Sequence, residues 1–129
     1  GFAQPVCQSQ SSSAITSTSA NVTYYVNANG KFTTLTIQYN TINTDSALNA
    51  GPSQGDGAVQ SVFNGSRTAT LTGLSIKKTY YWRVVGTNTN GTTKSGILSF
   101  TTLGEKPTIT LLGAQGRYNF GLIDYDLNT

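Results

Sequence analysis

The chain of 129 residues has no histidine, no methionine, one cysteine and one tryptophan, and only 10% of it is charged. Each shortage excludes something. Without histidine there is no customary general base, and the Ser–His–Asp, Cys–His and His-metal arrangements are all ruled out. The carboxylates Asp45, Asp56, Glu105, Asp124 and Asp126 are scattered. Asp124 and Asp126 lie two apart and would share one face of a strand, and Asp56 sits within Gly55-Asp56-Gly57. A hard cation wants about 6–8 oxygen ligands, so an exposed polar edge and a plain loop explain these residues better than metal binding. No glycine-rich phosphate loop lies between a strand and a helix. The chain therefore reads as non-catalytic, with neither cofactor nor metal.

A single cysteine, Cys7, allows no internal disulfide. The simple reading is a small apolar residue in an N-terminal segment; the alternative is an intermolecular bridge or a reactive thiol. Gln4-Pro5-Val6 lacks the small residue expected ahead of a lipidated cysteine. The opening Gly1-Phe2-Ala3-Gln4 is compatible with the remnant of a signal-peptide cleavage site. No stretch approaches the ~18 apolar residues of a transmembrane helix. Net charge is +3. Up to Leu103, Lys31, Arg67, Lys77, Lys78, Arg83 and Lys94 face Asp45 and Asp56; beyond it, Lys106 and Arg117 face Glu105, Asp124 and Asp126. No basic stripe results, and nucleic-acid binding is not expected. Thr, Ser, Asn and Gly supply most of the polarity, a balance common in secreted β proteins.

What is present is period two. Val22, Tyr24 and Val26 alternate with polar residues or Tyr25; so do Leu35, Ile37 and Tyr39, then Ala69 and Leu71, then Tyr80, Trp82 and Val84, then Leu98 and Phe100. Such runs describe strands with one face in a core and one in water. They predict an all-β fold whose core holds Val22, Tyr24, Val26, Leu35, Ile37, Tyr39, Leu71, Trp82, Val84, Leu98 and Phe100. Asn29-Gly30, Asn64-Gly65 and Asn90-Gly91 punctuate the runs as turn signals. Residues 42–66 break the rhythm and read as a long loop with one short edge strand.

Within Ala69–Thr102, the runs Ala69-Thr70-Leu71-Thr72-Gly73-Leu74, Thr79-Tyr80-Tyr81-Trp82-Arg83-Val84-Val85-Gly86-Thr87-Asn88, Gly91-Thr92 and Leu98-Ser99-Phe100-Thr101-Thr102 resemble the E, F and G strands of a fibronectin type III domain, of the kind found in bacterial secreted and cell-surface proteins. Ile15–Ala20, Val26–Gly30 and Ile37–Tyr39 resemble strands A, B and C. The resemblance implies an Ig-like β-sandwich of about seven strands with Greek-key connections over residues 13–103. The Leu74 to Tyr80 spacing implies a tyrosine corner, in which the Tyr80 hydroxyl bonds back to the E–F corner. Ser75-Ile76-Lys77-Lys78 replaces the proline and glycine often found in that corner. Strand B lacks the family's core tryptophan, and Trp82 on strand F stands to fill that volume.

Residues 1–12 read as an N-terminal extension and 104–129 as a strand-forming C-terminal extension. Ile109, Leu111, Tyr118, Phe120 and Leu122 alternate there. Such a segment completes its own sheet, begins another domain, or pairs with an open sheet edge of a neighbour; residues 1–12 could act similarly. The implied function is a structural module outside the cell: a subunit of a surface filament or adhesive assembly, whose partners are copies of itself or neighbouring surface domains. The alternatives are a ligand- or carbohydrate-binding module, presenting loops 42–66 and 86–94 or stacking sugar on Tyr25, Tyr81 or Tyr118, and an accessory domain of a secreted polysaccharide-degrading enzyme. Single exposed tyrosines are ordinary on sheets. Asn21, Asn64 and Asn90 head N-glycosylation sequons, usable where source and compartment allow.

Overall fold

The computed structural model describes residues 3–104. Strands β1 (Val6–Ser13), β2 (Ala20–Asn27) and β3 (Thr33–Asn40) come first, then helix α1 (Asp45–Ala50). Strands β4 (Ser53–Val59), β5 (Asn64–Leu71), β6 (Thr79–Asn88), β7 (Gly91–Lys94) and β8 (Leu98–Thr101) follow. One three-stranded sheet has the order β1-β2-β5. A five-stranded sheet has the order β4-β3-β6-β7, with β8 also on β6. All pairings are antiparallel.

The alternation does what its period dictates. In β2 the residues are alternately buried and half-buried, and Val22, Tyr24 and Val26 face inward. Ala69 and Leu71 of β5 join them from the same sheet; Leu35, Ile37, Trp82, Val84 and Phe100 oppose them from the other. Trp82, Tyr24, Ile37, Val22, Val26 and Val84 lose essentially all contact with water. Each such side chain contributes roughly 1.5–3 kcal/mol by burial. Tyr39 is half-buried and packs against the core. Leu98 is a correction: it is 36% exposed. It lies opposite Trp82 on β8, and among the described residues no further strand covers it.

Other expectations are corrected too. Val6–Ser13 is the first strand of the sandwich and pairs with β2 along its length, so it is not an extension free to join a neighbour. The boundary at 12/13 therefore falls inside β1, and the strand expected at 15–20 is instead a bend over 15–19 following Ala14, whose φ is +48°, with Ala20 already the first residue of β2. Physically, Val6-Cys7-Gln8-Ser9-Gln10-Ser11-Ser12-Ser13 has little apolar alternation; backbone pairing and one core residue, Cys7, hold it. The segment 42–66 is also more ordered than a loop, since it contains α1, β4 and the start of β5. Of the Asn-Gly pairs, Asn90-Gly91 lies at the β6–β7 hairpin, whereas Asn64-Gly65 begins β5. Asn29-Gly30, both at positive φ, joins strands of different sheets.

The strand that follows β6 is broken in two. β7 and β8 pair successive parts of β6. Between them, the buried Ser95 donates its N–H to the Val84 carbonyl at 2.9 Å and accepts the Val84 N–H on Oγ at 2.8 Å. A side-chain oxygen thus replaces a ladder carbonyl, and no buried backbone donor is left unpaired there.

Chain entry and exit lie at opposite ends. Ala3 and Gln4 are tied down beside the 28–32 loop and the β6–β7 turn, by Asn88, Asn90 and Asn29 donating to their carbonyls. Leu103 donates to the Thr16 carbonyl and accepts from Lys77 at the other end. Residues 105–129, and with them Ile109, Leu111, Tyr118, Phe120, Leu122, Asp124 and Asp126, lie outside the described residues.

Candidate functional site

The sandwich is built around side-chain clusters, each of which must be weighed as structure or site. The first is the corner between β5 and β6. Leu74 and Tyr80 are both buried, and the Tyr80 hydroxyl accepts the Ser75 N–H at 2.8 Å. Its ring lies between Tyr39, at a centroid distance of 6.2 Å, and Phe100, at 5.8 Å. Thr102 closes the corner by accepting the Lys78 N–H and donating to the Ser75 carbonyl. Every one of these groups bonds inward, so the cluster is structural.

The second cluster links the two sheets along one side. Tyr24, wholly buried, donates its hydroxyl to the Asp56 carboxylate. Arg67 Nε donates to the same hydroxyl at 3.2 Å, and its second nitrogen to the Asp56 carbonyl at 3.0 Å. Burial, then the Asp56 bond, push the Tyr24 hydroxyl well above its ordinary range, so it stays a donor. Nearby, Gln54 donates to the Thr70 carbonyl at 2.6 Å. The facing carbonyls of β4 and β5 are thus capped by side chains from the opposite sheet.

The third cluster lies on the outer face of the five-stranded sheet. Thr44 caps α1 by accepting the Ala47 N–H at 3.1 Å. Leu48 of this helix is fully buried. Arg83, 4% exposed, donates to Gln38 at 2.8 Å, to the Asp45 carboxylate at 2.7 Å and to Asn49 at 3.0 Å. Lys94 reaches Asn49 at 2.9 Å. The Arg83 bond, then the Lys94 charge, hold Asp45 below the ordinary carboxylate value. Asp45 therefore stays ionised and has no proton to lend the Asn49 amide, and the cluster clamps the helix to the sheet.

Cys7 is buried among Gly86, Pro5 and Thr33, where a Cβ on Gly86 would stand 2.6 Å from its sulfur. Burial pushes its thiol up to about 11, against a smaller opposing bond from the Gly86 backbone. A thiol so placed is inert. Among the described residues no group of three or more His, Cys, Asp or Glu is placed to hold a metal, and no helix is long and apolar enough to cross a membrane.

Among the described residues, what remains open to a partner is the ends and one broad face. At the entry end Phe32 is 55% and Val62 88% exposed, on loops joined by the Gly30 N–H to the Ser61 carbonyl at 3.0 Å. At the exit end Ile42, Ile76 and Leu103 are exposed. The outer face of β1-β2-β5 carries Tyr25, Asn21 and Asn64, while Asn90 stands in the β6–β7 turn. Tyr81 lies on the opposite sheet, on the face bearing Arg83, so the sheets do not bring Tyr25 and Tyr81 into one row.

No family model and no curated protein matches the chain. Solved structures do. A short form of the sensor domain of the anti-sigma factor RsgI4 from Pseudobacteroides cellulosolvens is similar over 81% of this chain and 100% of its own, with a TM-score of 0.58 at 19% identity. A long form is similar over 84% and 99%, with a TM-score of 0.58 at 20% identity. The sixth fibronectin type III domain of human fibronectin type III domain containing protein 3 matches over 85% and 96%, with a TM-score of 0.57 at 20% identity. The fold is a fibronectin type III-like β-sandwich. At these identities the likeness speaks for fold alone. In the lettering of that sandwich β5 and β6 are strands E and F, so the Leu74–Tyr80 cluster occupies the E–F corner. The sheet-to-sheet clamp of Tyr24, Asp56 and Arg67, and the helix clamp of Arg83, were not visible to sequence reasoning. The one usable signal was Thr44-Asp45 ahead of Leu48, a capping residue followed by an acid in the first turn.

Proposed function

We propose that the chain is a non-catalytic extracellular module, a structural unit of a surface assembly, joined end to end with copies of itself or neighbouring domains through the segment that follows Leu103. The observation that carries this reading is the path of the chain. It enters the sandwich beside Asn88 and leaves it at the opposite end beside Thr16 and Lys77. A pull between the two ends then loads antiparallel strands along their length, where many backbone bonds share the force. Exposed apolar side chains occur at both ends, Phe32 and Val62 at one, Ile42, Ile76 and Leu103 at the other. A contact between unlike ends does not close on itself and extends into a filament. The polar, weakly charged surface and the inert thiol fit an extracellular setting.

Light scattering and negative-stain microscopy of the purified chain, with and without residues 104–129, test the reading. Polymers that disappear on truncation support it and locate the linking segment. A monomer in both forms overturns it.

A further inference from the structure

The register of the three-stranded sheet arranges its outer face as a grid. Across β1, β2 and β5 the rows are Val6, Asn27 and Asn64; Gln8, Tyr25 and Ser66; Ser11, Thr23 and Thr68; and Ser13, Asn21 and Thr70. Every position except the corner residue Val6 bears a hydroxyl or an amide, and none bears a charge. The charged side chains of the described residues lie elsewhere: Lys31 in a loop, Asp45, Arg83 and Lys94 at α1, Asp56 on β4, Lys77 and Lys78 at the exit end. Arg67, the one charged residue on these strands, turns toward Tyr24 and Asp56. We propose that this face binds a neutral polysaccharide.

The chemistry selects the partner by exclusion and then by fit. Phosphates and polyanions need clustered Lys and Arg, which the face lacks. Protein interfaces are anchored by large apolar or Arg side chains in pockets, and the face offers one half-buried tyrosine and one corner valine. A neutral chain of hydroxyls is complementary to it: each hydroxyl supplies one donor and two acceptor lone pairs, and each amide supplies both kinds.

The grid is also set in advance. Thr23 bonds Thr68 at 2.9 Å, Thr70 donates to Asn21 at 2.8 Å, Tyr25 to Asn64 at 2.5 Å and Ser66 to Gln10 at 3.0 Å. These cross-strand bonds hold the rotamers, so binding has less side-chain entropy to lose. Rows recur about every 7 Å along the strands and columns about every 4.8 Å across them, a regular spacing suited to a repeating ligand. Tyr25 stands in the central column, where its ring can face a sugar ring.

The test is retention of the full chain on insoluble cellulose, chitin and starch, at low and at molar salt, with folding of each variant checked by its melting curve. The expected result is retention on at least one of these neutral polysaccharides, indifferent to salt. Thr68→Glu and Thr23→Lys should each weaken it about tenfold or more, since either sign of charge must be desolvated against an uncharged ligand. Tyr25→Ala should weaken it as well, and Thr36→Glu, on the other sheet, should not. Failure to bind any of the three, binding that both charge variants leave intact, or opposite responses to the two charges would overturn the proposal. The same variants should leave the light-scattering behaviour of the chain unchanged, which separates this outcome from that of the end-to-end reading.

Discussion

Replacing Tyr24 by Phe isolates one bond of the sheet-to-sheet clamp. The ring volume is kept, so no cavity forms and the usual penalty for lost core packing is avoided. What disappears is a hydroxyl that donates to Asp56 and accepts from Arg67 Nε at 3.2 Å. A hydrogen bond to a charged group contributes about 1.5–3 kcal/mol. Two facts place the loss toward the lower end. Asp56 keeps Arg67 at 3.5 Å, and its side chain is 18% exposed, enough to recruit water in place of the hydroxyl. The expected cost is therefore about 1.5–2 kcal/mol. For a chain of this size that lowers the melting temperature by about 6–8 °C. Urea unfolding at equilibrium measures it, and the slope with denaturant should not change, because the exposed area on unfolding is the same. Asp56→Asn and the double variant complete a cycle in which the two losses should be strongly non-additive. A Tyr24→Phe cost below about 0.5 kcal/mol, or strict additivity with Asp56→Asn, would refute the clamp.

Tyr80→Phe removes the acceptor of the part-buried Ser75 N–H and should cost about 1 kcal/mol by thermal or urea melts; no measurable loss would mean that the corner does not depend on that bond. Gly86→Ala drives a methyl to 2.6 Å from the Cys7 sulfur and should cost about 1–3 kcal/mol, with much of the loss recovered by adding Cys7→Ala. Cys7 should stay silent to a thiol reagent in buffer and react stoichiometrically in denaturant; fast labelling of the folded chain would contradict its burial. Asp45 has its folded pKa depressed below 3.8, so the stability it contributes is present above that value and is lost as pH falls through the lower, folded value. Asp45→Asn should flatten this acid limb of the stability curve while leaving the neutral limb unchanged in shape, as read by melts over a pH series.

The core strands could be read from sequence because their side chains obey one rule locally. Val22, Tyr24 and Val26, or Tyr80, Trp82 and Val84, carry the period within a few residues of chain. β1 could not be read that way. Its serines and glutamines carry no period, and its place depends on β2, which pairs with it along its length. Leu98 obeys the period yet sits at an edge, because alternation gives the face of a strand and says nothing of how many strands lie beside it. Helix α1 spans Asp45–Ala50, too short for a helical repeat to emerge from the pattern, and it rests on tertiary contacts: Leu48 buried, Arg83 beneath it. The clamps join residues far apart in sequence, such as Tyr24 to Asp56 and Arg83 to Asp45, and no local pattern carries that information. The grid of hydroxyls and amides was half legible: the alternate polar residues are plain in sequence, but their assembly into one uncharged face depends on the register of β1 and β5 against β2.

The distribution of polar contacts in turn limits where partners can act. A sandwich has two lateral openings, where edge strands expose unpaired backbone groups that invite strand addition. Here Gln54 and Arg67 cap carbonyls across the β4–β5 opening. Across the other opening, Ser9 Oγ donates to the Gly96 carbonyl at 2.5 Å, in the break between β7 and β8. A break in an edge strand, with a side chain from the opposite sheet bonded into it, leaves a poor template for an added strand. The outer face of the five-stranded sheet is partly covered by α1 and held by Arg83. Among the described residues, the two ends, which carry the exposed Phe32, Val62, Ile76 and Leu103, and the uncharged face of β1-β2-β5 are the surfaces that no internal contact of this kind occupies. The proposed linkage at Leu103 would therefore call for a neighbour at an end rather than at a sheet edge, and the face proposed to take a polysaccharide is a separate surface, since its strands run between the two ends and present it sideways.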